Sequence, residues 1–296
     1  MLSNEAKMVK KFLRSVDIWD NPLNEIRKSL KDMTSEAKFP EDTAAYIINA
    51  YGVNCELFIP LGAADDKIIV YFHGGGYCLG IWDANRKFVA NIAKESGYKT
   101  LLVDYRLAPE NPYPAAHEDA LSVYKWLLRE NFKPANIVLM GDSSGCGLIL
   151  ATLFKLKELQ MQMPAALIFI SPVVDYTGSG ESLITAKEAD PFQYEDPFSI
   201  ANNFLCDNDV KDPFISPLYG DLRCLPPILI HASEHDVFLS DSINLADKAK
   251  DSGIDVHIKI WEELWHVFHI NVGTIPESKE ALEEICEFID NRMNNF

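Results

Sequence analysis

The sequence predicts the α/β class: an open, mostly parallel sheet with helices on both faces. Three observations predict it. Short continuous apolar runs recur along the 296 residues, helical patterns fall between them, and a glycine-flanked serine joins one run to the pattern that follows. Continuous β-branched runs suit strands buried on both faces, as in a parallel sheet.

Taken in order, the first 45 or so residues read as helical and charged, without strand signals. Leu2, Val9, Phe12, Leu13 and Val16 recur at helical spacing and predict an amphipathic helix packed on the body of the protein. "YGVNCELFIP" then alternates as a strand does, and "KIIVYFH" from Lys67 is the first continuous apolar run. Further runs are "TLLVDY" from Thr100, "NIVLMGD" from Asn136, "ALIFISP" from Ala166, "PILIHAS" from Pro227 and "VHIKIW" from Val256. Helices are expected in "AAHEDALSVYKWLLREN", in "CGLILATLFKLKELQ", in "SDSINLADKAKDSG" with its glycine stop, and in "KEALEEICEFIDNRM" at the end. From about Thr177 to Leu222 the alternation breaks. This stretch holds Asp-Pro turns, aromatics and short helical pieces but no buried strand. A connection of that length inside a compact domain is usually functional, such as a lid.

Composition narrows the function. The chain carries 27 basic against 44 acidic residues, a net charge of −17, which opposes nucleic acid and anionic membrane surfaces as partners. No apolar run approaches the roughly 18 residues of a membrane helix. The N-terminal "MLSNEAKMVKKFLRSVDIW" has no continuous apolar core and no small-residue cleavage site, so it does not read as a secretory signal. Six scattered cysteines, at 55, 78, 146, 206, 224 and 286, show no metal-ligand spacing and no disulfide framework. Reduced thiols and a cytoplasmic location are the expectation, with Cys146 packing in the first turn of a helix.

The chemistry centres on "NIVLMGDSSGCGLILATLF", where Gly141, Ser143 and Gly145 form G-x-S-x-G between a predicted strand and a predicted helix. That context is the one a nucleophile elbow requires. A serine hydroxyl needs a base at neutral pH, and elbow folds order the partners as Ser, acid, His. Of the later histidines, His231 and His257 fall within predicted strands, where a buried, satisfied ring is expected, and His235 sits in a loop. His266, in "WEELWHVF" beyond the last predicted strand, is the base favoured by position, with His269 in reserve. Asp236, just beyond its strand in "PILIHASEHDVF", is the matching acid. Glu234 and Asp241 compete with it, and Asp241 is the better candidate for a helix cap. An acid in that place fixes the imidazole tautomer and stabilises the imidazolium.

"YFHGGGYCLG" places three glycines after a histidine at a strand end. Attack on a carbonyl creates an oxyanion that needs N–H donors about 3 Å away. Gly74, Gly75 and the residue after the nucleophile, Ser144, are the expected donors, and side chains on the glycines would block the oxygen.

At these residues the sequence resembles the hormone-sensitive lipase family of α/β-hydrolases. "HGGGYCLG", "DYRLAPENPYPAAHEDA", "GDSSG", "HASEHDVF" and "WHVFH" match its blocks in order, and "PFISPLYGDLRCLPPILI" matches its linker into the acid-bearing strand. The resemblance runs from about Lys67 to the C-terminus. It implies an α/β-hydrolase fold with a helical cap made of residues 1–45 and the 177–222 insertion, over a core of 46–176 and 223–296. It implies hydrolysis of small to medium-chain carboxylic esters through Ser143, His266 and Asp236, with no metal or cofactor. An amidase, formamidase or lactonase would use the same triad. A small-molecule receptor would keep the pocket but lose the base, which this chain retains. The resemblance also admits a homodimer, although no segment marks an interface.

Two details depart from the common pattern. Ser144 and Cys146 stand where alanine and a second glycine are frequent, and Val237-Phe238 follows Asp236 where Pro-Leu is common. "DYRLAPE" reads as structural, shaping a loop wall through Asp104 and Arg106.

Overall fold

The computed structural model describes residues 1–19, 21–34 and 39–294, so part of the expected helical N-terminal region, at 20 and 35–38, lies outside the described residues. Among the described residues the strands are β1 (Thr43–Ala50), β2 (Val53–Pro60), β3 (Ala64–Phe72), β4 (Tyr98–Asp104), β5 (Ile137–Asp142), β6 (Ala166–Ile170), β7 (Ile228–His235) and β8 (Val256–Trp265). They form one sheet in the order β1-β2-β4-β3-β5-β6-β7-β8. β1–β2 and β2–β4 are antiparallel, and every other pair is parallel. Every residue of β5 and β6 is buried, which is why these strands read as unbroken apolar runs.

The longer helices are α1 (Asn4–Arg14), α2 (Leu23–Thr34), α3 (Asp83–Ser96), α4 (Ala115–Arg129), α5 (Ser144–Glu158), α8 (Leu239–Asp251) and α9 (Pro276–Asn294). Alternate residues of β3 feed two separate cores. Val70 and Phe72 pack with Val123, Leu127, Leu153 and Leu245 of α4, α5 and α8. Ile69 and Tyr71 pack with Phe88, Ile92, Ile285 and Ile289 of α3 and α9. The period-two alternation of a strand thus sends successive side chains to opposite layers of helices. Among the described residues no helix is long and apolar enough to cross a membrane.

Two elements differ from expectation. β1 begins at Thr43, inside the region read as helical, and forms a hairpin with β2 through Tyr51 and Gly52, both at positive φ. It is an edge strand with Tyr46 and Ile47 exposed, so burial imposed no alternation on it. α3 carried no expectation, although Phe88, Val89 and Ile92 lie on its buried face and Gly97 stops it in the left-handed region. The 177–222 stretch contains no strand. It holds two four-residue helices, α6 (Ser182–Thr185) and α7 (Asn202–Leu205), and a 3-10 turn at Pro217–Tyr219. Arg106 is structural as read, since its guanidinium and backbone N–H both donate to the buried Asp119 at 2.8–2.9 Å. Asp104 takes no part in that tie.

The approach of α5 to β3 sets the site. An added Cβ on Gly145 would lie 2.1 Å from the carbonyl oxygen of Phe72, and one on Gly141 would lie 2.9 Å from the same oxygen. Backbone cannot yield as a flexible side chain can. Gly145→Ala is therefore expected to destabilise the protein by about 3 kcal/mol or more. Denaturant unfolding measures this, and a wild-type midpoint would contradict the packing described.

Candidate active site

Ser143 occupies the turn between β5 and α5 at φ 51° and ψ −123°. A non-glycine residue held in such a conformation stores about 1–3 kcal/mol. The turn is held by its backbone: Ser143 N–H donates to Ile170 O at 2.9 Å, and Ser143 O accepts from the N–H groups of Cys146 and Val173, both at 3.1 Å. Cys146 itself is fully buried, with its thiol against Gly141 O.

Asp236 follows the end of β7 and is buried. Its Oδ1 accepts the Phe238 N–H at 2.8 Å, and its Oδ2 lies 2.9 Å from Nδ1 of His266. His266 follows the end of β8, and the next residue, Val267, donates its N–H to Ser171 Oγ at 3.2 Å, which pins the loop. With Nδ1–H donating to the carboxylate, Nε2 is the basic nitrogen. Burial works against the imidazolium, but the charge and hydrogen bond of Asp236, with the charges of Asp190 and Asp142 behind them, raise the His266 pKa above its ordinary value.

The remaining histidines and acids lie elsewhere. His269 is buried with its Nε2 3.1 Å from Nδ1 of His231, and it does not line the cavity that His266 faces. His257 is exposed, 3.2 Å from Asp255, where a buried ring was expected. His235 bonds to Lys10 of α1. Glu234 accepts the Glu263 N–H. Asp241 does not cap its own helix; its carboxylate accepts the N–H groups of Val174 and Asp175 at 2.7 and 2.9 Å, tying α8 to the segment after β6.

The three glycines have three different neighbours, and Gly74 must be corrected. Its N–H donates to Oδ1 of Asp142 at 3.0 Å and is not available to a ligand. A Cβ there would meet Asp142 Oδ2 at 2.3 Å and Ser143 Cβ at 2.8 Å, so the residue is bare because the elbow packs against it. Gly75 and Gly76, at φ 100° and 58°, line the cavity together with Ser144. Among the described residues the N–H groups of Gly75, Gly76 and Ser144 have no acceptor. Reading the motif missed Gly76 and Asp142. The acid directly before Ser143 was the available signal for the second. The Asp142 carboxylate also accepts the Tyr71 hydroxyl at 2.6 Å, and burial, against those bonds, pushes its pKa up to about 6.

Ser143, His266, Gly75, Gly76 and Ser144 line one cavity of about 400 Å³. Its walls are aromatic, with Trp19, Tyr176, Phe192, Tyr194, Phe198 and Phe238 among them. The Phe238 ring lies 5.3 Å from that of His266, and Trp19 meets Phe192 edge-on at 5.4 Å. Among the described residues no group of three or more His, Cys, Asp or Glu side chains is placed to hold a metal ion.

Comparisons with known proteins fit this geometry. Residues 69–270 match the family described as the alpha/beta hydrolase fold. An esterase of Acinetobacter venetianus is 34% identical over 254 residues, covering 84% of each chain. An acetyl-hydrolase of Streptomyces hygroscopicus is 34% identical over 226 residues, covering 76% of each. Among solved structures, an esterase/lipase from an uncultured bacterium superposes with a TM-score of 0.92 at 36% identity, covering 98% of this chain and 99% of that one. An esterase from the bacterial hormone-sensitive lipase family superposes at 0.93 with 32% identity, covering 99% and 100%. The chain belongs to the alpha/beta hydrolase fold family, within its hormone-sensitive lipase group.

Proposed function

We propose that this protein is a serine carboxylesterase acting on small to medium-chain carboxylic esters. One observation carries the reading: the Asp236–His266 contact opens onto the same cavity as a strained serine and three unpaired backbone N–H groups. Its relatives named esterase and acetyl-hydrolase point the same way.

In this mechanism Ser143 Oγ attacks the ester carbonyl carbon while His266 Nε2 takes its proton. Asp236 holds the Nδ1–H and favours the imidazolium. The carbonyl oxygen becomes an oxyanion facing the N–H groups of Gly75, Gly76 and Ser144, each such donor contributing roughly 3 kcal/mol. The N-terminus of α5 adds its positive dipole end. His266 then passes the proton to the leaving alkoxide oxygen as the C–O bond breaks, and the alcohol departs. Water attacks the acyl-serine with His266 again as base, the proton returns to Ser143 Oγ, and the carboxylic acid is released.

The helical N-terminal region and the 177–222 insertion serve as a cap over the cavity. Phe12 and Leu13 of α1, Met33 of α2, and Phe192 and Phe198 of the insertion all contribute to its lining. Arg14 of α1 joins the two parts by donating to the carbonyls of Glu188 and Ala189. Apolar walls of this extent suit an acyl chain better than a charged substituent.

The reading is tested with p-nitrophenyl acetate, butyrate, octanoate and laurate. Turnover is expected on the first three with a fall at laurate, and Ser143→Ala is expected to lose at least about 10⁴-fold in kcat. A folded wild type that hydrolyses none of them would refute it.

The pH profile has a defined sign. The base must be neutral to accept a proton, and its pKa stands above the ordinary 6.5. The acid limb of kcat/KM is therefore expected to have its midpoint above 6.5, with activity present above it and lost as pH falls through it. A midpoint below 6.5 would contradict the charge arrangement around His266.

A further inference from the structure

Asp190, in the 177–222 insertion, is fully buried. Its Oδ1 accepts the Phe192 N–H at 2.9 Å. Its Oδ2 accepts the Val237 N–H at 3.1 Å, and Val237 is the residue directly after Asp236. The insertion thus grips the backbone of the acid turn by a buried carboxylate. The sequence resemblance sharpens the point. Where Val237 stands, proline is common, and proline has no N–H to donate. In this chain the departure from Asp-Pro-Leu supplies the donor that Asp190 takes.

We infer that Asp190 is a positioning residue of the reaction: it fixes the turn that carries Asp236, and its charge favours the imidazolium of His266. The inference rests on the esterase reading above. Three carboxylates from three segments favour the charged form of one imidazole: Asp236 from the turn after β7, which touches it, and Asp190 from the insertion and Asp142 from the end of β5, which act through their charge. Other titratable groups that feel this cluster are His269, through the His266 charge, Lys10 of α1, through Asp190, and the buried Tyr194 of the insertion, through Asp190 and Asp236. Burial first, and then the negative charge of Asp236, push the Asp190 carboxyl up to about 6, whereas its two N–H bonds favour the ionised form. The ionised form is the one that the Phe192 and Val237 N–H donors hold. An imidazolium formed during attack then meets, beside the carboxylates of the hydrolase core, a negative charge that comes from the insertion.

Histidine-selective 15N NMR titration tests this directly, with the His266 signal identified by its loss in His266→Gln. Asp190→Asn keeps the size and removes the charge, and its amide oxygen can still accept one of the two N–H bonds. The midpoint of His266 is expected to fall by about 0.5 pH unit or more, and the acid limb of kcat/KM to move the same way, with kcat reduced and KM nearly unchanged. A structural role alone would lower stability and leave the midpoint in place. If Asp190→Asn does not fold, Val237→Pro decides instead: it removes one hydrogen bond that keeps Asp190 ionised, and a smaller fall in the midpoint is expected. An unchanged His266 midpoint in the folded variant overturns the inference. The ring titrates whether or not esters turn over, so failure of the esterase reading is distinguished by a wild type with no turnover.

Discussion

Helix α5 starts so close to the end of β3 that no methyl group fits between them. Gly145 meets the Phe72 carbonyl oxygen, and Gly74 meets the side chains of Asp142 and Ser143. This contact goes with a strained, positive-φ turn at Ser143, and Ser144, the first residue of α5, lines the cavity beside the glycine loop. Asp142 completes the join, since one carboxylate oxygen holds both the Tyr71 hydroxyl and the Gly74 N–H. The turn at Ser143 and the glycine loop are therefore packed together as one unit. In the proposed mechanism the donors are aimed before substrate arrives, and little reorganisation is required during reaction.

The second organising feature is negative charge gathered around one buried ring. Asp236, Asp190 and Asp142 all act on His266 against its desolvation. Buried carboxylates persist when their oxygens are hydrogen-bonded, and here each is held by backbone N–H groups or a hydroxyl. Because Asp190 belongs to the insertion, the segment that walls the cavity also contributes to the electrostatics of the base.

Much of this arrangement is legible from local pattern. The buried strands β3 to β7 announce themselves as continuous apolar runs because both faces are covered. The elbow shows in the spacing of Gly141, Ser143 and Gly145, because only glycine tolerates that closeness. β1 was not legible, since an exposed edge strand is under no pressure to alternate. Gly74 was misassigned for a related reason. A bare position shows that something lies close, but not whether it is a substrate oxygen or the next loop of the protein.

The sequence by itself determined the fold class, the order of the elements from β2 onward except α3, and the short set of side chains from which a nucleophile, a base and an acid could be drawn. These depend on neighbours within a few residues, where periodicity and turn chemistry act. Tertiary structure alone decided which glycine N–H groups stay unpaired, which histidine faces the cavity, and that Asp190 reaches the turn after Asp236 across 47 positions of chain. Such contacts join segments distant in sequence, and their strength comes from burial and from directional hydrogen bonds, neither of which leaves a local trace in the order of residues.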